Sequence, residues 1–103
     1  MSNAISKRLE WTRRARNDLD TIFAYYADVA PAAIAEQSID AIRAQARKIC
    51  RNPALYRRGK RDTRECVMQR FPYTLVYRVR PDAVEILRVL HQSRAYFNVR
   101  PNR

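Results

Sequence analysis

Residues 83–96 read Ala-Val-Glu-Ile-Leu-Arg-Val-Leu-His-Gln-Ser-Arg-Ala-Tyr. Val84, Ile86, Leu87, Val89 and Leu90 are bulky and mostly β-branched, and the run is bounded by Pro81-Asp82 before it and Gln92-Ser93 after it. That pattern predicts a strand buried on both faces, in the interior of a sheet. Just past its end come His91, Arg94 and Tyr96, a proton carrier, a permanent cation and a stacking hydroxyl on chain leaving a rigid element. A functional site is expected there.

Working back from this strand, Pro81-Asp82 supplies a tight turn, because proline presets the backbone angle at its first central position and aspartate accepts a local hydrogen bond at the next. Tyr73 to Arg80 and Glu65 to Phe71 each alternate with a period of two, which predicts two strands joined around Pro72. Upstream, residues 53–64 hold Arg57, Arg58, Lys60, Arg61 and Arg64 with Tyr56 among them and the only glycine, Gly59, between them. This is expected to be a basic loop, either a solvated surface or a phosphate-contacting patch with an aromatic beside it.

Two helices are expected before that loop. Ala35, Ile39, Ile42, Ala46 and Ile49 recur at steps of four and three, and Asn52-Pro53 stops the pattern because proline disfavours helical geometry in the residue before it. Leu19, Ile22, Phe23 and Tyr26 form a similar stripe after Thr12, a suitable N-cap. A connection as short as the one at Pro31 makes the pair an antiparallel hairpin. Leu9 and Trp11 alternate with polar neighbours in a short first strand. The order β-α-α-β-β-β predicts an α+β domain: an antiparallel sheet of about four strands, with the N-terminal helical hairpin on one face. Residues 1–103 are expected to form one domain with flexible ends at 1–6 and 100–103, Phe97 and Val99 packing back on it.

The 103 residues carry 21 Lys and Arg against 10 Asp and Glu, a net charge of +11. Residues 1–42 hold 5 basic and 6 acidic side chains, whereas residues 43–103 hold 16 and 4. Such an excess favours a polyanionic partner, nucleic acid or an acidic protein, without choosing between them. No apolar run approaches the roughly 20 residues of a membrane helix and no segment resembles a secretory signal, so a cytoplasmic protein without membrane contact is expected. Cys50 and Cys66 lack metal-ligand spacing and are expected to be buried reduced thiols.

If the alternation of the strands is regular, Arg70, Arg78, Arg80 and Arg88 project from the sheet face opposite the helices and form a phosphate- or carboxylate-binding surface. The alternative is that each pairs with Glu65, Glu85 or Asp82 across the strands. His91 is either a structural residue at a strand end or, with Tyr96 and an arginine, an acid–base group for cleavage of an RNA phosphodiester. No metal site is expected, because no second histidine or cysteine pair stands at ligand spacing, and the sequence has no glycine-rich phosphate loop.

Several segments together resemble the RelE/ParE toxin superfamily of bacterial type II toxin–antitoxin systems. They are Arg13-Ala15-Asp18-Leu19-Ile22, Asn52-Pro53, Arg70-Phe71-Pro72-Tyr73-Thr74-Leu75-Val76-Tyr77-Arg78 and Ile86-Leu87-Arg88-Val89-Leu90-His91-Gln92-Ser93-Arg94. The last of these is most similar to the ParE branch. The resemblance implies a small toxin that needs no cofactor, causes growth arrest and is wrapped by an acidic, helix-prone segment of a cognate antitoxin. For the ParE branch it implies a poison of DNA gyrase that is not an enzyme; for the RelE branch, an endonuclease cutting mRNA on the ribosome. On the endonuclease reading, His91, Tyr96, Arg70 and Arg78 are the catalytic candidates. Arg57, Arg58, Lys60, Arg61, Arg70, Arg78, Arg88, His91, Arg94 and Tyr96 are the candidate contacts for an antitoxin or another polyanion. The segment after the last strand is less basic than a ribonuclease branch implies.

Overall fold

The computed structural model describes residues 7–93. Its elements are β1 (Arg8–Trp11), α1 (Arg13–Val29), α2 (Ala32–Arg51), a 3-10 turn (Pro53–Leu55), β2 (Arg57–Arg58), β3 (Arg64–Val67), β4 (Tyr73–Val79) and β5 (Ala83–His91). The architecture is α+β, as expected, but the sheet has five strands in the order β1-β5-β4-β3-β2. It is also mixed rather than purely antiparallel: β1 runs parallel to β5, with Leu9 beside Val84 and Trp11 beside Ile86.

The added strand lies inside the expected basic loop, where Arg57 and Arg58 pair with Glu65 and Arg64. Two residues are too few to show a period, so the strand has no signature in the sequence. The reversal after it is closed by Gly59 N–H donating to Thr63 O at 2.8 Å, with Arg61 at φ 56. A side chain at Gly59 would collide with Thr63 and Glu65, whose atoms lie 2.7 and 3.0 Å from where its Cβ would stand. β3 stops at Val67, four residues before the expected end, and residues 68–72 cross to β4 with Met68 N–H donating to Tyr73 O at 3.0 Å.

Both helices start and stop where their signals stand. The Thr12 hydroxyl accepts from Ala15 N–H at 3.0 Å as the cap of α1, and donates to Leu87 O at 2.9 Å, so one side chain fixes the helix start to β5. α2 begins after Pro31 and ends before Asn52. Leu19 and Ile22 of α1 and Ile42, Ala46 and Ile49 of α2 pack on Leu75, Tyr77, Val84, Ile86 and Val89 of the sheet. The Tyr77 hydroxyl donates to Pro53 O beneath the end of α2. Cys50 and Cys66 are buried and unpaired, and burial pushes both thiols up.

β5 lies between β1 and β4, which accounts for its apolar run. Its register against β4 slips by one residue: Arg88 stands opposite Val76 and Ile86 opposite Tyr77, leaving Leu87 as an added residue. This bulge interrupts the alternation that put Arg88 on one face with Ile86 and Leu90. Ile86 and Val89 both reach the core, and Arg88 turns to α1.

Candidate functional site

Asp18 of α1 is the acceptor that meets Arg88. The guanidinium donates to both carboxylate oxygens, at 2.8 and 3.1 Å, and Val89 N–H donates to the same carboxylate at 2.8 Å. The side chains are 27% and 16% exposed, so water screens the pair little, and the carboxylate holds the Arg88 pKa above its ordinary value. Arg88 therefore joins sheet to helix and does not extend from the opposite face. On the sheet, Arg80 donates to Glu85 at 3.2 Å and Arg78 lies 3.9 Å from the same carboxylate, while Arg57 donates to the buried Glu65 at 2.9 Å. Arg70 stacks over the Phe71 ring at 5.1 Å and donates to Gln37 at 3.1 Å. Pairing with a carboxylate of the sheet, the alternative for Arg70, Arg78, Arg80 and Arg88, is the observed arrangement for Arg78 and Arg80; Arg57, expected in a basic loop, is paired across strands as well.

Beside Asp18 a cleft of about 540 Å³ opens between α1 and the end of β5. Its walls include Tyr25, Tyr26, Tyr73 and His91, stacked edge to face, with centroids 5.1 Å apart for Tyr25 and Tyr26, 6.5 Å for Tyr26 and Tyr73, and 5.7 Å for Tyr73 and His91. Burial pushes the Tyr73 hydroxyl well above its ordinary range, and a hydrogen bond with Tyr26 adds to this. It stays protonated at neutral pH, so it can donate but is a poor base.

His91 sits at the rim, exposed. Ser93 N–H donates to its Nδ1 at 3.2 Å, and Ser93 Oγ lies 2.9 Å from the same atom. A backbone N–H can only donate, so the neutral ring carries its proton on Nε2. The lone pair a general base needs is on Nδ1 in that tautomer, and it is occupied.

The basic loop places Arg58 and Arg61 at the surface, with a cavity of about 170 Å³ lined by Arg58, Asp62, Thr63 and Arg64. Lys60 is exposed in the same turn, and its carbonyl accepts from Thr63. Arg94, Tyr96 and the expected packing of Phe97 and Val99 lie outside the described residues, as do the expected flexible ends. Among the described residues no group of three His, Cys, Asp or Glu stands where it could hold a metal ion, and no helix is long and apolar enough to cross a membrane.

Strand patterns carry no sign of Asp18 as a clamp or of Tyr25, Tyr26 and Tyr73 as a cleft lining. Nor do they single out Arg13, Arg14, Arg43, Arg47 and Arg51, whose side chains are exposed and have no hydrogen-bonded or ion-paired partner among the described residues. Their helical spacing was visible; that the sheet arginines would be paired off and these would not was invisible.

Residues 9–96 match the family described as the ParE toxin of the type II toxin–antitoxin system parDE. Toxin RelE3 of Caulobacter vibrioides is 37% identical over 87 residues, covering 82% of this chain and 94% of the relative. Among solved structures, a chain of the chromosomal ParDE system of P. aeruginosa superposes with a TM-score of 0.75 at 24% identity, over 84% of this chain and 96% of that one. A chain of the RelBE2 toxin–antitoxin complex of Mycobacterium tuberculosis gives 0.60 at 26% identity, over 84% and 99%. With two helices on a mixed sheet and nearly its whole length matched, this chain belongs to the ParE toxin family, within the RelE/ParE superfamily of type II toxin–antitoxin toxins.

Proposed function

We propose that the protein is a ParE-like toxin that inhibits DNA gyrase by binding, without catalysis, and that a cognate acidic antitoxin neutralises it in the cytoplasm. The observation that carries this reading is the state of the groups a ribonuclease would use. Arg88 is clamped by Asp18, Arg78 shares Glu85, Arg70 is held by Gln37 and Phe71, and Nδ1 of His91 is taken by Ser93. Among the described residues no base, acid and free cation converge on one point, as in-line phosphodiester cleavage requires. The cleft, lined by the rings of Tyr25, Tyr26 and Tyr73 with Ile22 and Val89, suits an anchoring side chain of the antitoxin better than a reacting phosphate.

A second reading, a ribosome-dependent mRNA endonuclease, is favoured by the relative named RelE3. Purified toxin, alone and with its operon partner, separates the two. The expected outcome is loss of gyrase supercoiling with accumulation of gyrase-linked cleaved plasmid, reversed by the antitoxin, and with mRNA on ribosomes intact. Cut mRNA with normal supercoiling would sink the gyrase reading. His91→Ala is expected to remain as toxic as the parent in growth assays, whereas an endonuclease based on His91 would lose most of its activity.

A further inference from the structure

The helical hairpin sorts its charge by position. From Asp18 to Asp40 it carries five acidic residues and no basic one; Arg13, Arg14 and Arg16 precede that stretch, and Arg43, Arg47, Lys48 and Arg51 follow it. Only Ala30 and Pro31 join the helices, which pack against each other, so the start of α1 and the end of α2 share one end of the hairpin. The fold thus brings two distant basic segments together and leaves the acids toward the connection.

Arg43, Arg47 and Arg51 form an exposed stripe at four-residue steps, each rising about 6 Å along the axis. Arg13 and Arg14 are exposed in the first turn of α1, where the helix dipole disfavours cations. None of the five meets a carboxylate among the described residues. Mutual repulsion and an opposed dipole are costs that a merely solvated surface has no reason to concentrate, and a polyanion relieves both.

The type of polyanion follows from what the basic end lacks. Protein partners anchor on buried aromatic or aliphatic side chains. The exposed Phe23, Tyr25 and Val29 lie further along α1, within the acidic stretch, while Leu55, Val67 and Val79 follow Arg51 as single aliphatic residues on three different elements, with no exposed large aromatic among them. Single strands are gripped through aromatics on which bases stack, and among the described residues none is exposed beside the five arginines. Contacts to duplex phosphates need only cations. We propose that the basic end of the hairpin, centred on Arg13, Arg14, Arg43, Arg47 and Arg51, is a contact surface for the phosphate backbone of double-stranded nucleic acid and reads no base sequence. This inference does not rest on the gyrase reading.

The test uses the full chain and labelled mixed-sequence DNA and RNA duplexes, with their single strands, in fluorescence anisotropy across a salt series. Log affinity for at least one duplex should fall linearly with log salt, by about 0.9 per phosphate contact and so with a slope of roughly −4.5 for five arginines. Arg43→Gln, Arg47→Gln and Arg51→Gln together should make the slope shallower by about 3, while the matching lysine triple keeps it. A control triple of equal charge, Arg8→Gln and Arg80→Gln, both already paired with carboxylates, together with Arg103→Gln, should change it little, thermal melting showing that all variants fold. Equal losses in the two glutamine triples would reduce the effect to net charge and overturn the proposal. So would tighter binding of single strands, or preferential capture of polyglutamate lost in the helical triple, which would assign this end to an acidic protein. The duplex preferred, DNA or RNA, identifies the source of the phosphates.

Discussion

The two helices differ in how they are held. α2 ends in Lys48 and Arg51, cations at the carbonyl end where the dipole favours them, and buries Ala35, Ser38, Ile42, Ala46 and Ile49 without any side-chain cap. α1 opposes its dipole at both ends, with Arg13, Arg14 and Arg16 in its first turn and Asp28 in its last, and buries only Ala15, Leu19 and Ile22. It is compensated by directional links to β5: the Thr12 hydroxyl on Leu87 O, and the Asp18 carboxylate on Arg88 and Val89 N–H. Apolar burial positions α2, and hydrogen bonds position α1. The helix that bears the cleft and half of the basic end is therefore the one whose placement depends on a few polar contacts.

The largest test of this contrast is Asp18→Ala. It leaves a guanidinium and a backbone N–H without their acceptor in a largely dehydrated place, and should cost about 3 kcal/mol in urea denaturation. Thr12→Ala removes a cap and is expected to cost about 1 to 2 kcal/mol. A loss below a few tenths for both would mean that packing holds α1 as it holds α2.

The anchor at the end of α2 is tested by alkali. Burial pushes the Tyr77 hydroxyl from its ordinary 10 up to about 12. The folded protein keeps this proton where the unfolded chain loses it, so the stabilisation is full below pH 10 and disappears as pH rises through about 12. Denaturation curves across that window should show a fall of about 2 to 3 kcal/mol beyond the general alkaline loss, absent in Tyr77→Phe. An unchanged difference between the two proteins across the window would remove Tyr77 from the account.

The smallest effect is the most telling in sign. Arg13→Glu and Arg14→Glu should each raise stability by roughly 0.3 to 1 kcal/mol at low salt, while Arg51→Glu should lower it by a similar amount, as read by thermal melting. If the α1 changes destabilise instead, arginine there serves the fold, and the case for a partner at the basic end weakens.

Much of this was legible in residue patterns. Thr12 as a cap, Asn52-Pro53 as a stop and Pro81-Asp82 as a turn are local chemistry, decided within a few residues, and each stands where the pattern puts it. The buried β5 was read from its apolar run, and the superfamily from four segments spread over the chain. The candidate site was much less legible. Arg78 and Arg88 look alike in sequence, yet one shares Glu85 across a strand and the other crosses to Asp18 on a helix. The bulge at Leu87 makes the difference, and a bulge is a property of the pairing between two strands rather than of either one.

By itself, then, the amino-acid order determined the elements, their caps and turns, the fold class and the total charge, because each depends on neighbours along the chain. Only the tertiary structure decided that β1 lies parallel to β5, that a two-residue strand adds an edge, and which of the arginines are neutralised. Those outcomes depend on which groups meet across long separations, where a carboxylate a few ångströms away cancels a cation that the sequence can only count.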